Sequence, residues 1–291
     1  MRLTVFTPTY NRKELLTRAY KSLTAQTVKD FEWLIVDDGS TDHTDDEVKK
    51  WIDEDIIPIR YHYRENGGKM RAHNTGVELT RTELFLCLDS DDYLVDNAIE
   101  SLLHAYEDAV SNGDGEKPVG GVVAHKGRSE KEIFGGNDFP VTGTSTLYGL
   151  YQKGFTGETT LMFRTDILKM FPFPEIEGEK YVPEDYIYDK IDTVCVLAVL
   201  PQIITVCEIV DGGYTDSVRK LRRDNVNAFY LYYEQRAFIT PRGLNRLKYL
   251  GRYVIYAKRS HRPVFQGSRI GFFDIVCGCI YGGILLLANR E

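Results

Sequence analysis

The chain has 291 residues, enough for one large α/β domain and an extension. Its net charge of −7 hides an asymmetry: residues 1–217 carry 22 Lys and Arg against 39 Asp and Glu, residues 218–291 carry 14 against 4. An acidic body argues against a nucleic-acid binder, and a basic tail suits an anionic surface such as a membrane.

Residues 3–7 read as a short apolar strand, followed by Pro8-Thr9-Tyr10-Asn11-Arg12. Asn11 with Glu14 three residues on predicts a capping pair, and Leu15, Leu16, Ala19, Tyr20 and Leu23 supply an amphipathic helical stripe. Residues 31–36 form a second strand that ends in Asp37-Asp38-Gly39-Ser40, where Ser40, Thr41 and Asp42 suit the start of a polar helix. Residues 56–63 are a third strand, and Pro58 within it predicts an edge position or a late start. Glu65-Asn66-Gly67-Gly68-Lys69 is then a glycine turn into a helix through Leu79, a place where backbone can approach a phosphate closely.

The fourth strand organises the chain. Leu84-Phe85-Leu86-Cys87-Leu88 is a run of five apolar residues that ends abruptly in Asp89-Ser90-Asp91-Asp92, so a buried strand delivers carboxylates to its C-terminal edge. Such a cluster is neutralised by a hard divalent cation, or else it is an Asp-rich turn capping the next helix. That helix has Ile99, Leu102, Leu103 and Tyr106 on one face. Repeated strand–helix units predict a mostly parallel sheet with helices on both faces, and ligands in such sheets sit beyond the C-terminal strand ends. Three of the four strands drop Thr9 and Tyr10, Asp37 and Asp38, and Asp89 and Asp91 there.

Residues 111–118 are a loop, 119–124 a strand, and 126–146 a polar excursion over the site. Glu184-Asp185 is an acid pair ahead of a helix with Ile187, Ile191 and Val194, which read alone suits helix capping. Residues 203–210 form a further strand. From Asn225 the pattern is helical and aromatic, with Thr240-Pro241 predicted to open a basic helix. Residues 270–288 are apolar with one charge, Asp274, and at roughly 1.5 Å per residue they are marginal for a membrane crossing. With Arg259, Arg262 and Arg269 beside it, the segment is expected to lie in the membrane interface rather than span it. The domain division expected is therefore 1–217 and a basic helical extension, 218–291. The five cysteines lie mostly in apolar runs, as reduced cytosolic thiols do, and residues 1–6 run into strand with no secretory signal.

Taken together, Thr7-Pro8-Thr9-Tyr10-Asn11-Arg12, Val36-Asp37-Asp38-Gly39-Ser40, Asn66-Gly67-Gly68-Lys69 and Leu88-Asp89-Ser90-Asp91-Asp92 resemble a GT-A-fold family 2 glycosyltransferase of the bacterial surface-polysaccharide type. The resemblance implies a three-layer α/β/α fold and a nucleotide-sugar donor, with a UDP-sugar expected. Pro8, Thr9 and Tyr10 would line the base pocket, and Asp38 would bind the base. Asp89 would face the ribose, Asp91 would hold Mg²⁺ or Mn²⁺, and Lys69 or Arg71 would face the nucleotide. Asp185 would be the catalytic base, although Glu184, Asp189 and Asp192 crowd it and only motif position singles it out. The acceptor implied is a saccharide, in particular a lipid-linked one at the cytoplasmic face of a membrane, which the basic C-terminus would approach peripherally. Arg219, Lys220, Arg222 and Arg223 are a lid over the pyrophosphate or a solvated basic loop. Dimerisation through residues 225–260 stays open. The rival outside catalysis is a sugar-nucleotide-binding scaffold of a polysaccharide assembly complex.

Overall fold

In the computed structural model, which describes residues 1–113, 115–207, 218–264 and 270–288, strand and helix alternate from the first residues. β1 (Leu3–Thr9), α1 (Lys13–Thr24), β2 (Phe31–Asp37), α2 (Thr44–Glu54), β3 (Ile59–Tyr63), α3 (Lys69–Leu79) and β4 (Leu84–Cys87) come first. They are followed by β5 (Asp92–Leu94), α4 (Ala98–Asn112), β6 (Val119–Ser129), β7 (Glu132–Ile133), β8 (Thr144–Ser145) and α5 (Leu147–Gln152). β9 (Thr159–Arg164), α6 (Thr165–Met170), α7 (Asp185–Ile191) and β10 (Val196–Cys207) complete this part. Two compact units result: Met1–Pro172 with Ile187–Val210, and Phe173–Tyr186 with Asp211–Glu291.

Among the described residues of the first unit, ten strands make one sheet in the order β3-β2-β1-β4-β9-β6-β10-β5, with β7 and β8 at its margins. β3, β2, β1 and β4 are parallel, and β9 is antiparallel to both its neighbours, which makes the sheet mixed. β3 is the edge strand and begins after Pro58, whose missing N–H a ladder interior would not tolerate.

Period-two alternation sorts the strands' side chains into two cores. Leu3, Val5, Trp33, Ile35, Leu84, Leu86 and Leu88 face α1, α2 and α4. Phe6, Leu34, Val36 and Phe85 face α3, α5 and α6. The result is three layers, α/β/α. Leu84, Leu86 and Leu88 are fully buried, each worth about 1.5–3 kcal/mol, so the run is anchored up to the acids that follow it.

Two local expectations are corrected. Asn11 does not cap α1: it adopts a left-handed backbone with φ 52°, and Arg12 is the N-cap residue without a side-chain cap bond. Asp42 supplies the cap instead, accepting from Lys13 N at 3.1 Å, because the loops after β1 and β2 lie side by side. Residues 126–146 are partly sheet rather than a free excursion, since β6 runs on to Ser129 and turns back through β7.

The second unit contains α8 (Val218–Asp224), α9 (Val226–Ile239), α10 (Leu244–Arg259) and α11 (Phe272–Leu287). Glu179 caps α9, accepting from the backbone N–H groups of Asn227 and Ala228 at 2.7 and 2.8 Å. Phe229, Tyr230, Tyr233, Tyr253 and Tyr256 bury together, so the aromatic residues of α9 and α10 form this unit's own core. Thr240-Pro241 closes α9 and does not open α10, which starts at Leu244: the residue before a proline is pushed to extended backbone, and Thr240 sits at φ −71°, ψ 130°. α11 docks on α10 through Ile275, Gly278, Gly282 and Leu285. Phe272, Phe273, Val276, Ile280, Ile284 and Leu287 on its other side are exposed. No described helix is long and apolar enough to cross a membrane.

Candidate active site

β1 pairs with β2 through Thr9 but with β4 only through Phe6, with one further bond from Leu88 N to the Phe6 carbonyl. The strands therefore part beyond that point, where Pro8 has no N–H to offer a ladder. This is the switch point of the parallel half, with β2 on one side of β1 and β4 on the other. Thr9 is 2% exposed and its Oγ1 has no hydrogen-bond partner among the described residues, a buried polar atom at the crevice. Tyr10, the next residue, is 48% exposed.

Asp37 and Asp38 brace the neighbouring loops. Asp37 accepts from Ser40 N at 2.7 Å and from the Tyr61 hydroxyl at 2.6 Å. Asp38 is buried and accepts from Arg64 Nη1 at 3.0 Å, Gly67 N at 3.0 Å and Gly68 N at 2.7 Å. Three of the roughly four acceptor positions of its carboxylate are thus in use. Gly68 has φ 95°, a conformation that favours glycine, and it sets Lys69 as the first residue of α3.

Beyond β4 the chain turns, with Asp92 N donating to the Asp89 carbonyl at 3.0 Å. Lys69 Nζ is 2.7 Å from Asp89 Oδ1. Lys126 Nζ is 2.9 Å from Asp92 Oδ2 and 3.6 Å from Asp89 Oδ2. Asp91 pairs with Arg12, and its carbonyl accepts from Arg18 at 2.9 Å. Burial alone would raise the Asp89 carboxyl, but the charges of Lys69 and Lys126 outweigh it and hold it well below the usual carboxylate range. Burial pushes the Asp92 carboxyl up, and the charges of Asp89 and Asp91 add to this against the pull of Lys126.

Lys126 is the residue that sequence reasoning missed. The signal was present as a lysine on the same face of β6 as Val122 and Ala124, where an apolar residue would continue the core. Pro8, Thr9 and Asp38 lie on the converging strand ends with Asp89 and Asp91, and Lys69 is tied to them by its ion pair. For a metal, the turn offers hard carboxylate oxygens but no all-protein cage. Among the described residues, the group of three potential ligands within mutual reach is the exposed His43, Asp45 and Asp46 at the start of α2. One or two carboxylates fit Mg²⁺ or Mn²⁺ when substrate phosphates and water complete the coordination.

Asp185 belongs to the second unit. Its carboxylate is 46% exposed and lies 2.8 Å from Arg236, which is 7% exposed, with the Tyr232 hydroxyl at 3.4 Å. Its acidic neighbours are placed differently. Asp192 caps α5, accepting from Leu147 N at 3.0 Å and Tyr148 N at 2.7 Å, and Asp189 is buried. α8, which carries Arg219, Lys220, Arg222 and Arg223, has no buried residue, and the glycine-containing stretch before it lies outside the described residues.

Residues 4–169 match the family described as Glycosyl transferase family 2, and the chain belongs to that family of enzymes. It is 28% identical over 176 residues to the GalNAc(5)-diNAcBac-PP-undecaprenol beta-1,3-glucosyltransferase of Campylobacter jejuni, covering 60% of this chain and 55% of that enzyme. It is 29% identical over 185 residues to the UDP-Glc:alpha-D-GlcNAc-diphosphoundecaprenol beta-1,3-glucosyltransferase WfaP of Escherichia coli, covering 59% and 64%. The chain therefore spans less than two thirds of the length of either relative. The fold is similar to that of S. aureus TarS 1-349 in complex with UDP-GlcNAc, with a TM-score of 0.62 at 20% identity over 99% of this chain and 81% of that one.

Proposed function

We propose that this chain moves a sugar, with inversion at the anomeric carbon, from a UDP-sugar to a saccharide carried on a membrane lipid. The observation that carries the proposal is the acidic turn after β4, set at the switch point of the sheet and surrounded by Arg12, Lys69 and Lys126. Carboxylates beside cations at a parallel sheet's C-terminal edge suit a diphosphate held with a divalent ion. The relatives named above act on undecaprenol-linked diphosphates, and one of them is named for UDP-Glc, which supports the donor and acceptor classes.

In this reading Pro8, Thr9 and Tyr10 form the base pocket. The unpartnered Thr9 Oγ1 is available to the nucleotide, and the exposed Tyr10 ring offers a face for uracil. Asp38 gives its remaining acceptor position to the base. Asp89 faces the ribose, and Lys69, the first residue of α3, receives the diphosphate. Arg71, two residues along α3, is the second candidate for that role. Asp91 holds Mg²⁺ or Mn²⁺, which when bound stabilises the charge on the departing diphosphate as a Lewis acid.

Asp185 accepts the proton of the acceptor hydroxyl as its oxygen bonds to the anomeric carbon. The bond from that carbon to the diphosphate breaks, and its electron pair leaves with UDP. Arg236 and Tyr232 keep the Asp185 carboxylate in one orientation. One base and no enzyme nucleophile give a single displacement, so an α-linked donor yields a β-glycoside. The apolar outer face of α11 and the basic residues of 218–291 bring the protein to the cytoplasmic face of a membrane without spanning it.

The test is product stereochemistry. Incubated with UDP-sugars, Mn²⁺ and a lipid-linked saccharide extract, the protein is expected to label the lipid fraction with a β-linked sugar, read from the anomeric proton coupling. An α-linked product, or donor binding with no transfer to any lipid or saccharide, contradicts the proposal; the latter favours the scaffold reading.

A further inference from the structure

The three carboxylates of the turn after β4 are each paired with a cation of the chain itself, and the three cations come from three different elements. Arg12, in the loop between β1 and α1, holds Asp91 Oδ2. Lys69, at the start of α3, holds Asp89, and Lys126, within β6, holds Asp92 and approaches Asp89. Three paired charges of each sign, with the Arg18 guanidinium also donating to the Asp91 carbonyl, leave the cluster with no net attraction for a further cation. A divalent ion arriving alone must therefore displace a cation already on its ligand. A nucleoside diphosphate changes that balance, because its oxygens are acceptors that an arginine fork matches as well as it matches a carboxylate.

Arg12 is the cation paired with Asp91, the carboxylate proposed to hold the ion, and it is placed to exchange. Its pair is open to solvent on both sides, with Arg12 29% and Asp91 22% exposed. It follows Asn11, which is left-handed, and is itself the non-helical N-cap of α1, so its backbone belongs to a loop. Lys126 is fixed in the sheet and serves two carboxylates at once, and its removal would strip Asp92 of its cation.

We propose that Arg12 is an exchange latch. It occupies Asp91 in the unliganded protein and passes to the diphosphate when nucleotide and divalent ion arrive together. The protein by itself then binds the ion poorly, and ion and nucleotide each raise the other's affinity by the same factor. The inference rests on the nucleotide-sugar reading of this site and adds the order in which its charges are exchanged.

The experiment measures Mn²⁺ binding by electron paramagnetic resonance of the free ion, with and without UDP, on the full chain. Wild type is compared with Arg12→Gln and Arg12→Lys, with thermal melting as the check on folding. For wild type, UDP is expected to tighten Mn²⁺ at least about tenfold. Arg12→Gln is expected to bind Mn²⁺ alone about tenfold more tightly than wild type, to bind UDP more weakly, and to lose most of the coupling. Arg12→Lys, which keeps a cation on Asp91, is expected to keep the weak binding of Mn²⁺ alone. Coupling that persists unchanged in a folded Arg12→Gln, or Mn²⁺ affinity that does not rise in it, overturns the latch and leaves the donor site standing. Wild-type protein that binds no UDP at saturating Mn²⁺ overturns the donor site and the latch with it.

Discussion

Lys126 Nζ stands 2.9 Å from Asp92 Oδ2 and 3.6 Å from Asp89 Oδ2, so a single cation on β6 holds both ends of the acidic turn. Burial would lower the Lys126 ammonium, but Asp89 and Asp92 outweigh it and hold it well above the ordinary lysine range. Its partner Asp92 is 6% exposed, and the loss of one member of a buried pair leaves an uncompensated charge. Lys126→Met is expected to cost about 3 kcal/mol in urea unfolding, and Lys126→Met with Asp92→Asn to recover part of that. A cost below about 0.5 kcal/mol would mean that solvent already screens the pair. Because the folded value is raised, this stabilisation is present below the unfolded lysine value of about 10.4 and is lost as pH climbs past it.

Cys207 and Cys195 should be inert thiols at neutral pH. Burial pushes Cys207 up to about 12, with Asp92 adding to the effect, and pushes Cys195 up to about 11, with Asp192 adding. The thiolate is the reactive form, so both should resist iodoacetamide at pH 8 in the folded protein, while the exposed Cys279 is labelled. Peptide mapping after timed alkylation reads this directly. The raised folded values also mean that both thiols favour the folded state below about 8.5 and withdraw that support as pH rises toward 11 and 12. Rapid labelling of Cys207 at pH 7 would contradict its raised thiol value in a half-buried position beside Asp92.

Asp185 and Arg236 should separate binding from chemistry. Asp185→Asn removes a base while keeping shape, so UDP affinity should stay within about threefold and transfer should fall about 10²–10⁴-fold. Arg236→Lys keeps the charge but loses the fork that orients the carboxylate, and a smaller loss, confined to kcat, is expected. Equal losses in donor affinity for both variants would assign the pair to donor binding.

The outer face of α11 is testable with vesicles. Replacing Phe272 and Phe273, which are 74% and 76% exposed, by Ser should lower co-sedimentation with phosphatidylglycerol vesicles about tenfold. UDP release from soluble donor should be unchanged. Wild-type binding should also weaken as salt is raised, because the basic residues contribute through screened charge. Undiminished vesicle binding in the double variant would move the contact away from this face.

The parallel half of the fold was legible because its signals are local and strong. The apolar run 84–88 ending in Asp89, and the glycine turn before Lys69, each carry their own physical reason. Tertiary partners that are distant in sequence were not legible. Asp42 replaces Asn11 as the cap of α1 because two loops meet, and nothing around Asn11 announces that. Lys126 was hidden because it reads as the start of the polar stretch 126–146, beyond the strand 119–124, and its carboxylate partners are distant in sequence. Asp185 could be singled out only by motif position, and the capping role of Asp192, set by α5, appears only in three dimensions.

If the acids after β4 handle a nucleotide diphosphate with a divalent ion, UDP release from a panel of UDP-sugars with Mn²⁺ depends on Asp91, which wild type and Asp91→Ala read side by side. One or two donors are expected to respond with wild type, with the signal abolished by a chelator and at least about 10²-fold lower in Asp91→Ala. Equal release by Asp91→Ala, or release indifferent to Mn²⁺, would contradict the claim.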